Sequence, residues 1–137
     1  MMNGERRLVV VASVLFAVLL LASTPVRAQH MNEKDSPCAG VGPTPELAGC
    51  LAKARDSSDA KLNSLYKSLR KRLDPSDAER LTVTQRLWIQ YRDANCSAER
   101  ELYDGGTASF PAYLACLEAM TRMRTKELKV TYTVKLK

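Results

Sequence analysis

Gln85-Arg86-Leu87-Trp88-Ile89-Gln90-Tyr91-Arg92-Asp93-Ala94-Asn95-Cys96 is the stretch on which the reading of the fold turns. Steps of three, four and four residues separate Gln85, Trp88, Arg92 and Cys96, the spacing that puts side chains in line on one face of an α-helix. A tryptophan one turn before an arginine can take the guanidinium against its ring, and Asp93 is free to bond a neighbouring helix. The stripe lies mid-helix and ends on a cysteine, which favours an ordering role in a small core over a binding role.

Moving toward the N terminus, Asp74-Pro75 marks a break, because the residue before a proline is pushed out of the helical region. Ser76-Asp77-Ala78-Glu79 then reads as a capping box, and a helix is expected from Asp77 to Tyr103 with Leu81, Trp88, Tyr91 and Leu102 near one face. Before the break, Thr44-Pro45-Glu46 has the threonine, proline and acid favoured at a helix start. Leu47, Leu51, Ala54, Leu62, Leu65, Leu69 and Leu73 follow at helical steps, interrupted at Ser58. One long helix, or two with a joint near Asp56-Ser57-Ser58-Asp59, fits this pattern.

Toward the C terminus, Asp104-Gly105-Gly106-Thr107 stops the second helix with two glycines able to adopt the left-handed conformation. Ser109 is expected to cap a third helix carrying Tyr113, Leu114, Leu117, Met120, Thr121 and Leu128. The fold class is therefore all-α, a small antiparallel bundle of three helices, or four if the first is divided. Residues 130–137, Val-Thr-Tyr-Thr-Val-Lys-Leu-Lys, change to a period-two alternation with no second strand to pair with. They read as a frayed basic tail or as an edge that receives another strand.

Residues 1–28 have the order of a secretory signal peptide: Arg6-Arg7, an apolar run from Leu8 to Ala22 broken only by Ser13, then small residues ending at Ala28. The run is shorter than the roughly 20 residues a membrane span needs. Leu47-Ala48-Gly49-Cys50 resembles a lipoprotein box but lies far beyond the run, past Pro37, Pro43 and Pro45. The expected organisation is thus a signal peptide over 1–28, an extended lead-in over 29–43, a helical domain over 44–129 and a basic tail over 130–137, with a periplasmic or secreted location.

Export places Cys38, Cys50, Cys96 and Cys116 in an oxidising compartment, where two disulfides are the expectation. Counted from the second turn at about 1.5 Å per residue, Cys96 and Cys116 stand at nearly one height on adjacent helices. Cys50 and Cys96 are offset by about 7 Å along the axis by the same measure, awkward for a bond that needs Cα atoms within roughly 7 Å in all. Cys96 with Cys116 and Cys38 with Cys50 is the favoured pairing. A four-cysteine zinc site is disfavoured because no C-x-x-C pair is present.

The whole chain carries a formal charge of +6, which falls to +4 without residues 1–28. An equal excess sits in residues 114–137, so nucleic-acid binding is not expected of an exported protein with a basic tail. His30 is the sole histidine and adjoins the expected cleavage site. That argues against a histidine general base, a Ser-His-Asp triad or a histidine metal centre. Glu99 and Glu101 face different sides of a helix and read as solvated. No phosphate-cradling glycine loop occurs. A non-enzymatic protein without a cofactor is expected.

The combined pattern Asp59-x-x-Leu62-Asn63-x-x-Tyr66-x-x-Leu69, Gln85-x-x-Trp88-x-x-x-Arg92-Asp93-x-x-Cys96, Gly105-Gly106 and Cys116-x-x-x-x-Thr121-x-x-Arg124-x-x-x-Leu128 resembles the lysozyme inhibitor LprI N-terminal-like family over about residues 46–128. The resemblance implies a small, helical, disulfide-bonded exported domain that binds lysozyme. Gln85, Trp88, Arg92, Asp93, Thr121 and Arg124 are the expected structural motif. Asp104, Gly105, Gly106 and Thr107 are the candidate binding loop. Common lysozymes are basic, so a contact surface would draw on Asp56, Asp59, Asp93, Glu99, Glu101 and Asp104 near the glycine turn. The competing reading is an envelope interaction module whose basic tail contacts anionic polymer or lipid headgroups.

Overall fold

The computed structural model describes residues 30–42 and 44–137; the expected signal peptide lies outside the described residues. Three long helices form, α1 over Thr44–Arg72, α2 over Pro75–Glu101 and α3 over Ser109–Thr131, with a short α4 over Thr133–Leu136. The expected all-α bundle, with no strand among the described residues, is what the chain adopts.

Helix α1 runs unbroken through Asp56–Asp59. Ser58, the interruption in its apolar pattern, is buried and donates to a carboxylate of Glu118 at 3.0 Å, so its polarity is satisfied without a joint. The cap of α2 is Asp74, two residues before the expected Ser76. Asp74 is extended (φ −64°, ψ 162°), its Oδ1 accepts the Asp77 N–H at 3.0 Å, and Pro75 fills the first helical position. That bond to the Asp77 N–H holds the Asp74 carboxyl below the usual carboxylate range. Ser109 does not cap α3 but begins it, and its hydroxyl reaches back to the Arg100 carbonyl at 3.4 Å, tying the start of α3 to the end of α2.

Helix α3 is the central element. It packs most extensively on α1 and next on α2, whereas α1 and α2 meet only narrowly. Its residues from Leu114 to Ala119 are buried without interruption, and Ala112, Ala115 and Ala119 allow close approach of its neighbours. A helix contacted on two sides needs more than one apolar stripe, which is why α3 is the most continuously apolar of the three. Helix α2 is covered along one stripe, Ala78, Leu81, Thr82, Gln85 and Cys96. Tyr91 and Leu102, expected on that face, are 62% and 75% exposed, because the outer side of α2 has no helix to cover it.

Leu62, Leu69, Leu73, Ala78, Leu81 and Leu128 form one core cluster, and Cys38, Leu51, Leu114 and Ala115 form another toward the opposite end. A buried leucine contributes roughly 2 kcal/mol of transfer free energy. The alternation over 130–137 becomes neither a strand nor a loose tail. Helix α3 continues to Thr131, bends at Tyr132 and resumes as α4. Helical winding puts Leu128, Tyr132 and Leu136 four residues apart, and the last two close the open end of the first cluster. A lone strand would leave both sets of backbone groups unpaired, whereas helix satisfies them locally.

The segment before α1 is coiled, not extended. A 3-10 turn at His30–Asn32 is followed by successive turns that bond Ser36 N–H to Glu33, Ala39 N–H to Ser36 and Val41 N–H to Cys38. The expected disulfides are present, Cys38–Cys50 with Cα atoms 6.0 Å apart and Cys96–Cys116 with Cα atoms 5.5 Å apart. The first anchors the N-terminal coil to α1 and the second staples α2 to α3. Closing loops of this size stabilises by on the order of 3 kcal/mol each.

Candidate functional site

The motif residues converge where the three helices pass one another. The guanidinium of Arg92, on α2, donates to Asp59 Oδ1 on α1 at 3.2 Å, to Thr121 Oγ1 on α3 at 3.2 Å and to Asp93 at 2.9 Å. The Thr121 hydroxyl donates in turn to Asp59 Oδ1 at 3.3 Å. One arginine fork thus joins all three helices, which a lysine could not do with the same geometry. Arg92 lies 5.2 Å from the Trp88 ring centre and Arg124 lies 5.8 Å from it, so the half-buried indole is in cation–π contact with both. Arg124 donates to Gln85 at 3.2 Å and pairs with Glu127 at 2.9 Å. The α1 partner of Arg92 is Asp59; Asp93 bonds within its own helix and not, as its position suggested, to a neighbour.

A second polar network has no counterpart among the residues singled out from sequence. Glu118, 2% exposed on α3, accepts from Ser58 and from Arg122 Nε at 3.1 Å. Arg122 then reaches the N-terminal coil, with Asp35 at 2.6 Å and Glu33 at 3.3 Å. Burial works against the Arg122 charge, but the bonds and charges of Asp35 and Glu118 outweigh it and raise its pKa. The hydrogen bond from Arg122 holds the Asp35 carboxyl below the usual range. The signal for this network was a lone acid within the apolar run 114–119, with an arginine four residues on.

Glu99 is not solvated as expected. Its side chain is 10% exposed, and His30 Nδ1 lies 2.7 Å from Oε2. Cys116 approaches the same pair, but its sulfur is bonded to Cys96, so the cluster does not supply three metal ligands. The buried Tyr103 hydroxyl lies nearby without a partner, and burial followed by the Glu99 charge raises its pKa.

The Asp104-Gly105-Gly106-Thr107 loop is fully exposed at the tip between α2 and α3. Asp104 (φ 46°) and Gly105 (φ 72°) both take the left-handed conformation, and a Cβ on Gly106 would press to 3.1 Å on the Tyr103 carbonyl. Leu102 and Phe110, 75% and 52% exposed, flank the loop.

The antiparallel register sorts charge along the bundle. The end that holds this loop, residues 30–61 and 90–122, with Arg122 bonded to Glu33, Asp35 and Glu118, has seven basic and ten acidic side chains. The end that holds the α1–α2 turn and α4, residues 62–89 and 123–137, has eleven basic and four acidic.

A family model described as lysozyme inhibitor LprI matches residues 36–128, from the N-terminal coil to the last core leucine of α3. The chain belongs to the LprI lysozyme-inhibitor family. Both disulfides and both polar networks, apart from Glu33 and Asp35, lie within the stretch matched to the LprI family. An uncharacterized protein of Rhizobium meliloti (strain 1021) is 30% identical to the chain over 131 residues, which cover 86% of this chain and 92% of that one. No solved structure matches.

Proposed function

We infer that this protein is an exported, non-enzymatic inhibitor that binds a basic lysozyme-type muramidase through its acidic pole and covers the enzyme's cleft with the Asp104–Thr107 loop. The observation that carries this reading is the segregation of charge together with the exposed tip. A net charge of +4 on residues 29–137 would meet a basic enzyme as like charge, if it were spread evenly. It is not spread evenly. Helix α2 has 27 residues and so spans about 40 Å, against a Debye length of about 8 Å at physiological ionic strength. An approaching enzyme therefore senses the nearer pole, and the loop pole is negative.

The same tip combines features that interfaces use. Leu102 and Phe110 supply apolar area and Glu101 and Asp104 supply charge around a turn whose conformation is already set by Gly105. The Gln85, Trp88, Arg92, Asp93, Thr121 and Arg124 lattice acts as the support that holds α2 and α3, and so the loop between them, in a fixed relation. A clearing assay on a cell-wall suspension tests the reading. Purified exported protein should reduce lysozyme clearing saturably, and Phe110→Ala should raise the inhibitory concentration about tenfold. Undiminished clearing at a large molar excess would rule the inhibitor reading out.

A further inference from the structure

At the opposite pole, the C-terminal residues complete a surface that the inhibitor reading does not use. Tyr132 and Leu136 point into the core cluster, and in a helix the positions two residues away lie on the opposite side. Val130 and Val134 occupy those positions and are 76% and 77% exposed. Lys129, Lys135 and Lys137 stand among them, and the Arg72 guanidinium donates to the Lys135 carbonyl at 3.2 Å, joining this segment to the end of α1. Lys67 and Lys71 extend the same basic pole along α1.

Three of the four carboxylates at this pole, Asp74, Asp77 and Glu127, are engaged by neighbouring groups at the surface, and Glu79 is the fourth. Asp74 caps α2, Asp77 pairs with Arg80 and Glu127 pairs with Arg124. No carboxylate among the described residues lies within ion-pair distance of Lys67, Lys71, Lys129, Lys135 or Lys137. Exposed lysines around a pair of outward valines suit a phospholipid interface, where ammonium groups meet headgroup phosphates and short apolar side chains enter the headgroup layer. A soluble polyanion would engage the lysines but offer the valines nothing.

We propose that the pole formed by Val130, Val134 and the lysines of α1, α3 and α4 docks reversibly on an anionic phospholipid surface. Docking through this pole leaves the Asp104–Thr107 tip directed away from the lipid. No helix among the described residues is long and apolar enough to cross a membrane, so the contact is peripheral.

Flotation of the exported protein with vesicles of phosphatidylcholine containing 30 mol% phosphatidylglycerol tests this, with pure phosphatidylcholine vesicles as the control. Binding is expected on the anionic vesicles only and should fall away at 0.5 M salt. Combined Lys67→Gln, Lys71→Gln and Lys135→Gln, all exposed side chains, should weaken partitioning about a hundredfold, at about fivefold per charge. Val130→Ser with Val134→Ser should weaken it further, while Asp104→Asn should leave it unchanged. Equal partitioning on both vesicles, no partitioning on the anionic ones, or full retention by the triple variant with unaltered circular dichroism would overturn the proposal. Binding to a soluble anionic polysaccharide without vesicle flotation would overturn it too. The clearing assay is independent, so failure of one result leaves the other standing.

Discussion

Glu118 shows how one buried side chain can tie a largely apolar helix to α1 directly and, through Arg122 of the same helix, to the N-terminal coil. It is buried among alanines and leucines yet accepts from Ser58 on one side and Arg122 on the other. Replacing it with alanine would strand the Ser58 hydroxyl and remove the buried counter-charge of Arg122, at a cost of about 3 kcal/mol. Chemical denaturation of Glu118→Ala reads this directly, and a loss under about 1 kcal/mol would contradict it. Asp35 offers a test in pH. Its folded-state pKa is lowered, so its contribution is present above the ordinary value of 3.8 and is lost as pH falls through the lower folded value. Asp35→Asn should therefore be less stable than wild type at neutral pH, with the two converging below pH 3.8. Glu118 stands out in the sequence only as a lone acid in the apolar run 114–119, and Asp35 not at all. Their roles depend on which turn of α1 and of the N-terminal coil comes opposite α3, and local spacing contains no information on that. Arg92 and Trp88 were legible because both lie on one helix, one turn apart, whereas Asp59, the α1 partner of Arg92, needed the packing.

The three helices could be read from periodicity and breaks because leucines at steps of three and four and the Asp74-Pro75 break act locally. Which residue caps α2 could not, since Asp74 and Ser76 are both good cap types and the backbone had to choose. Pro75 decides it, by fitting the first helical turn where its missing N–H costs nothing. The C terminus illustrates the reverse failure: its β-branched alternation with no pairing strand reads as a frayed tail or a receptive edge, but a helix that buries Tyr132 and Leu136 wins through packing and local hydrogen bonds. Truncation after Thr131 should lower stability by about 2 kcal/mol and reduce the helical circular dichroism signal. A frayed tail would change neither. At the other end, the Cys96–Cys116 staple spans a 20-residue separation. Replacing both cysteines with alanine should cost on the order of 3 kcal/mol and lower the melting temperature by at least about 10 °C, measured by thermal scan.

Across the whole molecule, the separation of charge emerges only on folding. Along the chain the basic excess looks like a property of the last two dozen residues, with near neutrality elsewhere. Antiparallel packing brings the end of α1 and the start of α2 beside those residues, and gathers Glu101 and Asp104 with the carboxylates of the N-terminal half at the far end. Inhibition by this route requires that the negative end meet the enzyme. Calorimetric titration of a basic lysozyme into wild type and into Glu101→Gln/Asp104→Asn measures that most directly. Saturable one-to-one binding is predicted, weakened about tenfold or more in the double variant and further weakened by salt. No binding heat at any ionic strength, or equal affinity in the two proteins, would contradict it.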